Sequence, residues 1–137
     1  RMMRALEVIE STGNSILFYQ RGEKIKRDFS IVKVGLELPK EELVERINRR
    51  VDMMMEEGQL EEVKSLVTFK KFNALQTVGY SELFDYLDKR IRLPEAIERI
   101  KISTRQYAKR QLTWFKKDED ISWFQPDKID EIINHIK

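Results

Sequence analysis

Seven lysines and arginines, and no aspartate or glutamate, fall between Arg99 and Lys117 in a chain of 137 residues with 26 basic and 24 acidic side chains. The positive charge is therefore local. A solvated helix usually mixes signs, because Glu–Lys pairs at i,i+4 add roughly 0.2–0.5 kcal/mol each and like charges cost a similar amount. This run forgoes that gain, either as a plain solvated basic face or as a surface for anions. Arg105, Gln106, Lys109, Arg110, Gln111 and Thr113 favour the second, since guanidinium forks, amides and hydroxyls hold phosphate and read base edges. A net charge of +2 is too small to retain a nucleic acid by bulk charge, so any such contact has to come from a cluster like this one.

Other chemistry is scarce. The sequence has no GxxxxGKS/T, GxGxxG, HExxH or GxSxG. The lack of cysteine excludes disulfides, thiolate metal sites and a cysteine nucleophile, and is compatible with a reducing compartment. His135 is the one imidazole and has no Asp, Glu or Ser at a telling spacing, so it reads as a surface residue. Arg46 and Arg50 sit one turn apart, either paired with Glu42 and Glu45 or open to an anion. Gln76, Thr77, Gly79 and Tyr80 form either an ordinary turn between helices or a helix entrance whose backbone amides meet a base or phosphate.

These groups need elements to hold them. Residues 93–117 open with Pro94 and contain no further Pro or Gly, which predicts one long helix. Its packing side should carry Ile97, Ile100, Tyr107, Ala108, Trp114 and Phe115, with Lys101, Arg105, Lys109 and Lys116 on another side. Further helices are expected at 1–11, stopped by Gly13, at 39–57, where Met53, Met54 and Met55 read as core packing, at 59–69, at 81–87, and after Pro126. Residues 15–20 form an apolar, aromatic stretch, and the aperiodic charges of 21–27 read as a mobile loop. Residues 30–38 and 121–124 read as strands, the first buried on most of both faces. The order fits an α-rich α/β fold, a helical bundle with one or two strands, in one domain. With 41% hydrophobic residues, no long apolar window and no signal peptide, a soluble intracellular protein is expected. Helix 1–11 starts without a cap, so the natural chain is expected to extend upstream.

Four blocks carry a resemblance: RALEV at 4–8, RINRRVDMM at 46–54, TVGYSEL at 77–83 and above all TRQYAKRQLTWF at 104–115. Together they resemble the C-terminal half of the bacterial tRNA dimethylallyltransferases, also called tRNA isopentenylpyrophosphate transferases. The resemblance implies a cytoplasmic, monomeric enzyme that transfers a dimethylallyl group from dimethylallyl diphosphate to the exocyclic amine of the adenosine 3′ of the anticodon. It implies that a P-loop of the nucleotide-binding type, Mg²⁺ and the catalytic residues belong to an N-terminal half absent here, so the present part alone would be inactive. The two strands would then belong to a P-loop-type sheet that is mostly missing. Residues 1–29 would be the tail of a helical insert, and 30–137 the C-terminal part of the core.

For the tRNA anticodon stem-loop, the resemblance points to Arg1 and Arg4, to Gln76, Thr77, Val78, Gly79, Tyr80 and Ser81, and to Lys109, Arg110, Gln111, Leu112, Thr113, Trp114, Phe115 and Lys116. Arg46, Arg50 and Arg105 are implied as basic positions near the substrate. Family members usually have Lys or Arg where this chain has Ser81, which weakens a phosphate contact there. A basic helical module that binds an acidic protein, without a catalytic role, is the alternative from a different class.

Overall fold

The computed structural model describes residues 2–20 and 28–137. Arg1 and the charged loop expected at 21–27 lie outside the described residues. The chain divides into two compact units, one ending at Ile31 and the other spanning Val32–Lys137.

In the first unit, α1 (Met2–Thr12) ends as its glycine predicts. Gly13 takes φ 73° and its N–H donates to the Ile9 carbonyl at 2.8 Å. The short α2 (Ile16–Gln20) was not expected from the sequence. Its start is set by Ser15, whose hydroxyl accepts the Leu17 N–H at 3.3 Å and whose carbonyl accepts the Phe18 N–H at 2.9 Å.

The second unit is helix-rich with a two-stranded parallel sheet. Strand β1 (Lys33–Leu36) pairs with β2 (Ile121–Phe124), Gly35 lying opposite Trp123. Parallel strands need a long crossover, and here it is the helical layer α3 (Lys40–Glu56), α4 (Gln59–Ser65), α5 (Tyr80–Leu87) and α6 (Leu93–Phe115). The C-terminal α7 (Ile129–Ile136) follows β2. Pro39 leads into α3, where Glu41 and Glu42 favour the positive end of the helix dipole, and Gly58 closes it at φ 98°. Among the described residues no helix is long and apolar enough to cross a membrane.

The core lies between the helices. Val51, Val63, Leu83, Phe84, Ala96 and Ile100 are buried together, and Met55, Leu60, Tyr80, Leu87, Leu93 and Ile97 pack around them. Only Met55 of the methionine triplet joins this packing, while Met53 remains 49% exposed.

Three expectations need correction. The helix expected through 59–69 stops at Ser65, because Leu66 leaves helical backbone at φ −99°, ψ 4° and a 3-10 turn, Val67–Phe69, follows. Strand β1 is shorter than 30–38, and Ile31, Val32 and Leu36 are exposed, since the helices pack mainly on one another and leave the two strands thinly covered. The packing side of α6 also fades along its length: Ile100 is 1% exposed, whereas Tyr107, Trp114 and Phe115 are 52%, 67% and 49% exposed. The cause is the length of α5, whose 8 residues run back along only the first half of the 23-residue α6.

Candidate nucleic-acid interface

Each cation of the α6 row can be sorted by what it touches. Arg99 meets Glu95 at 2.8 Å on its own helix, and Lys101 meets Asp52 of α3 at 2.6 Å. Arg105 uses its guanidinium fork on two groups at once, donating to Asn48 Oδ1 at 3.0 Å and to Glu98 Oε1 at 3.1 Å. Lys116 reaches Glu37 at 2.6 Å and lies 5.6 Å from the centre of the Trp123 ring. Among the described residues Lys109, Arg110 and Lys117 make no ion pair, and Lys117 lies over the exposed Trp114 ring at 5.5 Å. The unbroken basic stretch of the sequence is thus partly neutralised in space. What stays unpaired is concentrated past Arg105.

A groove of about 600 Å³ runs beside this second half of α6, floored by Leu38, Leu43, Val44, Ile47 and Leu112 and edged by Arg105, Lys109 and Lys116. Such a groove suits a ligand with a flat or apolar part and anionic groups along its margin. A larger hollow of about 780 Å³ opens between α6 and the sheet, with Gly35, Ala108, Leu112, Phe115 and Trp123 in its wall. Thr113 has its hydroxyl bonded to the Lys109 carbonyl at 2.8 Å, the usual helical back-bond, and Gln111 reaches the Tyr107 hydroxyl at 3.4 Å.

The turn before α5 is built differently. Gly79 takes φ 97°, and a Cβ there would lie 2.8 Å from Nε2 of the buried Gln59. Its N–H donates to Glu82 Oε2 at 2.8 Å, which caps the helix with a carboxylate. Among the described residues Gln59 Oε1 is buried without a partner. Tyr80 donates its hydroxyl to Glu62 at 2.6 Å, and that bond, followed by partial burial, holds the phenol above the usual tyrosine range. Gln76 donates to the Lys70 carbonyl at 2.6 Å, and the Thr77 carbonyl accepts the N–H groups of Tyr80 and Ser81 at 3.2 and 3.1 Å. Thr77 is exposed, and so is Val78 at 40%.

The structure therefore gathers Arg105, Lys109, Leu112, Thr113 and Lys116 at one groove, with Arg110, Gln111, Trp114 and Phe115 on the exposed remainder of the helix. It does not bring every candidate there. Ser81 sits beside Ile102 and Ser103, two turns back from Lys109. Arg46 is paired with Glu42 at 2.7 Å, and Arg50 makes no ion pair among the described residues. At 100° per residue both project from the flank of α3 opposite to Asn48 and Asp52, the residues that face α6. Arg4 belongs to the first unit and pairs with Glu7 at 2.9 Å. Arg1 lies outside the described residues. His135 is exposed and packs against the Phe124 ring at 5.3 Å.

Sequence reasoning missed the partners that decide which cations are unpaired. Asn48 and Asp52 at i,i+4 on α3 are the one local hint; Glu37 and Gln59 carry none. For a metal the fit is poor: among the described residues no three Asp, Glu, His or Cys side chains are grouped to hold one.

The sequence model described as IPP transferase matches residues 1–118. A tRNA dimethylallyltransferase 1 of Bacteroides thetaiotaomicron is 48% identical over 137 residues, covering 100% of this chain and 44% of that protein. The tRNA dimethylallyltransferase of Cytophaga hutchinsonii is 44% identical, covering 100% of this chain and 45% of its own. Among solved structures, the full-length tRNA isopentenylpyrophosphate transferase of Bacillus halodurans superposes with a TM-score of 0.74 at 40% identity, over 97% of this chain and 42% of that one. The chain spans less than half the length of these relatives. With a family match over most of its residues and this likeness in fold, the chain belongs to the IPP transferase family.

Proposed function

We propose that this chain is the RNA-holding, C-terminal part of a tRNA dimethylallyltransferase. In the complete enzyme the exocyclic amine of the adenosine 3′ of the anticodon attacks the first carbon of dimethylallyl diphosphate. A nitrogen–carbon bond forms, the carbon–oxygen bond breaks, diphosphate leaves with the electron pair, and the amine gives up one proton. The target base has to leave its stack, at a cost of a few kcal/mol, so the enzyme needs a grip on the surrounding loop. The chain has no P-loop motif, and on this reading diphosphate binding and the chemical step fall to another part of the protein.

The observation that carries this reading is Lys109, unpaired among the described residues, at the edge of a groove with an apolar floor in a member of this family. Arg110 on the same half of α6 and Lys117 just past its end are also without an ion pair among the described residues. Lys109 and Arg110 provide charge for the sugar-phosphate chain, Lys116 stays held by Glu37 at the edge of the groove, and Trp114 and Phe115 stand as exposed rings near it. The turn of Gln76, Thr77, Val78, Gly79, Tyr80 and Ser81, exposed at 76–78, provides a second contact, and Arg4 is a separate candidate within the first unit.

The test is binding of an anticodon stem-loop RNA, expected to be salt-sensitive with a log–log slope of about 0.7–0.9 for each phosphate neutralised. In the complete enzyme, Arg105→Ala and Lys109→Ala should slow tRNA modification while the protein stays folded. Salt-independent or absent binding would sink the proposal. Unchanged turnover in both variants would favour a basic module for an acidic protein partner.

A further inference from the structure

Phe69 and Phe72 stand on the segment that joins α4 to α5, with ring centres 6.0 Å apart and planes 28° apart. They are 50% and 63% exposed, so the rings stack on each other without being buried. Their backbone is well tied. The Phe69 N–H donates to the Leu66 carbonyl and the Phe72 N–H to the Phe69 carbonyl, both at 2.9 Å. Between them Lys70 reaches both carboxylate oxygens of Asp88, at 2.6 and 2.9 Å, and the Lys70 carbonyl accepts the Gln76 amide at 2.6 Å. One side of this shelf is thus clamped to the end of α5 and the other to the turn before α5. Lys71 is exposed and, among the described residues, makes no ion pair; Asn73 beside it is exposed as well.

An apolar pair alone would suit many partners. A cation without a counter-ion at its edge, and an amide next to it, select a polyanion with flat faces. The position also fits. Ser81 and Asp85 lie beside Arg99 and Ile102, and Tyr86 and Lys89 beside Leu93 and Glu95, so α5 runs antiparallel to α6. Through Asp88, Lys70 is held near the start of α6, about 24 Å from Lys109 along the axis at about 1.5 Å per residue. At about 3.4 Å or more per nucleotide of a strand, that axial distance spans at most about seven steps.

We propose that Phe69 and Phe72 form a stacking shelf for an unpaired nucleotide of the bound RNA, several nucleotides away from the one near Lys109, with Lys71 on its phosphate. The inference rests on the tRNA reading above. Because every base has a π-face, the shelf adds affinity without selecting sequence.

The complete enzyme is to be titrated with anticodon stem-loop RNA at several salt concentrations. Phe69→Ala/Phe72→Ala is expected to weaken binding about 5- to 150-fold without changing the salt slope, because stacking and not a phosphate contact is lost. Lys71→Ala should lower the slope by about 0.7. Phe69→Leu/Phe72→Leu keeps apolar bulk without the π-face and should also bind weakly; it carries the test if the alanine pair unfolds. Wild-type affinity in the alanine pair overturns the shelf. So does full recovery in the leucine pair, which would mean that apolar bulk and not a π-face supports RNA binding there. Lys109→Ala/Arg110→Ala separates the two levels. If that variant loses affinity and the phenylalanine variants do not, the shelf alone fails; if no variant matters, the tRNA reading fails with it.

Discussion

The unpaired cations of α6 allow a quantitative test. Lys109 and Arg110 are exposed and, among the described residues, make no ion pair, whereas Arg99 and Lys101 are held by Glu95 and Asp52 at 2.8 and 2.6 Å. Both pairs carry the same formal charge on the same helix. A cation held by a carboxylate does not neutralise an RNA phosphate and so displaces no counter-ion condensed on the RNA, which leaves only the first pair to contribute to salt dependence. Lys109→Ala/Arg110→Ala removes two such contacts, lowering the log–log slope by about 1.4–1.8 at about 0.7–0.9 each. Referred to 1 M salt, that is a loss of about 25- to 60-fold in affinity at 0.1 M, on the order of 2 kcal/mol. Arg99→Ala/Lys101→Ala should leave the slope where it was. Fluorescence anisotropy of a labelled anticodon stem-loop between 0.05 and 0.3 M salt, roughly the range where such slopes are read, measures both. Melting of the first variant should move little, since exposed substitutions away from specific contacts stay within about 0.5 kcal/mol. Equal slopes for the two variants would refute the idea that internal pairing decides which cations meet RNA.

Three further outcomes follow from the geometry. Gly79→Ala places a Cβ 2.8 Å from the Gln59 amide at φ 97°, so stability should fall by about 1–3 kcal/mol in a denaturant titration. Tyr80 has its phenol held above its unfolded value by Glu62; the stabilisation is complete below about pH 10 and is lost as pH rises through the folded value. Tyr80→Phe, lacking that bond, should lose about 1 kcal/mol at neutral pH and show a flatter alkaline decline. Gly35→Ala would drive a methyl to 2.7 Å from the Trp123 ring and 2.8 Å from Ile121 Cγ2, loosening the β1–β2 pair by about 1–3 kcal/mol in thermal melts.

Much of the fold could be read from local pattern. Pro39 and Pro94 mark the starts of α3 and α6 because proline costs least in a first helical turn, and Gly13 and Gly58 mark ends through positive φ. Strand β2 was found at residues 121–124, where β-branched and aromatic residues cluster. Local pattern failed where the answer depends on a distant neighbour. The exposure of Tyr107 and Trp114 follows from the shortness of α5, and no periodicity within α6 encodes that. The neutralisation of Lys101 and Lys116 depends on Asp52 and Glu37, which lie 49 and 79 positions away in the chain. The candidate site was legible as a charge cluster and a resemblance; which of its cations are unpaired was not.

Stability and binding are therefore expected to separate along a single helix. Up to Thr104, α6 turns Ala96, Ile97 and Ile100 into the core and its cations into ion pairs. Beyond that point α5 no longer flanks it, and the rings and cations that would otherwise be covered stand exposed. Ile100→Ala removes a side chain that is 1% exposed and should cost about 2–5 kcal/mol, the usual range when a buried isoleucine leaves a cavity. The protein that remains folded should nonetheless bind RNA with an unaltered salt slope, because Lys109 and Arg110 lie more than two turns away. Tyr107→Ala, 52% exposed, should change melting by less than about 0.5 kcal/mol. A drop in slope for Ile100→Ala, measured below its melting temperature, would mean that the exposed half of α6 takes its shape from the core after all.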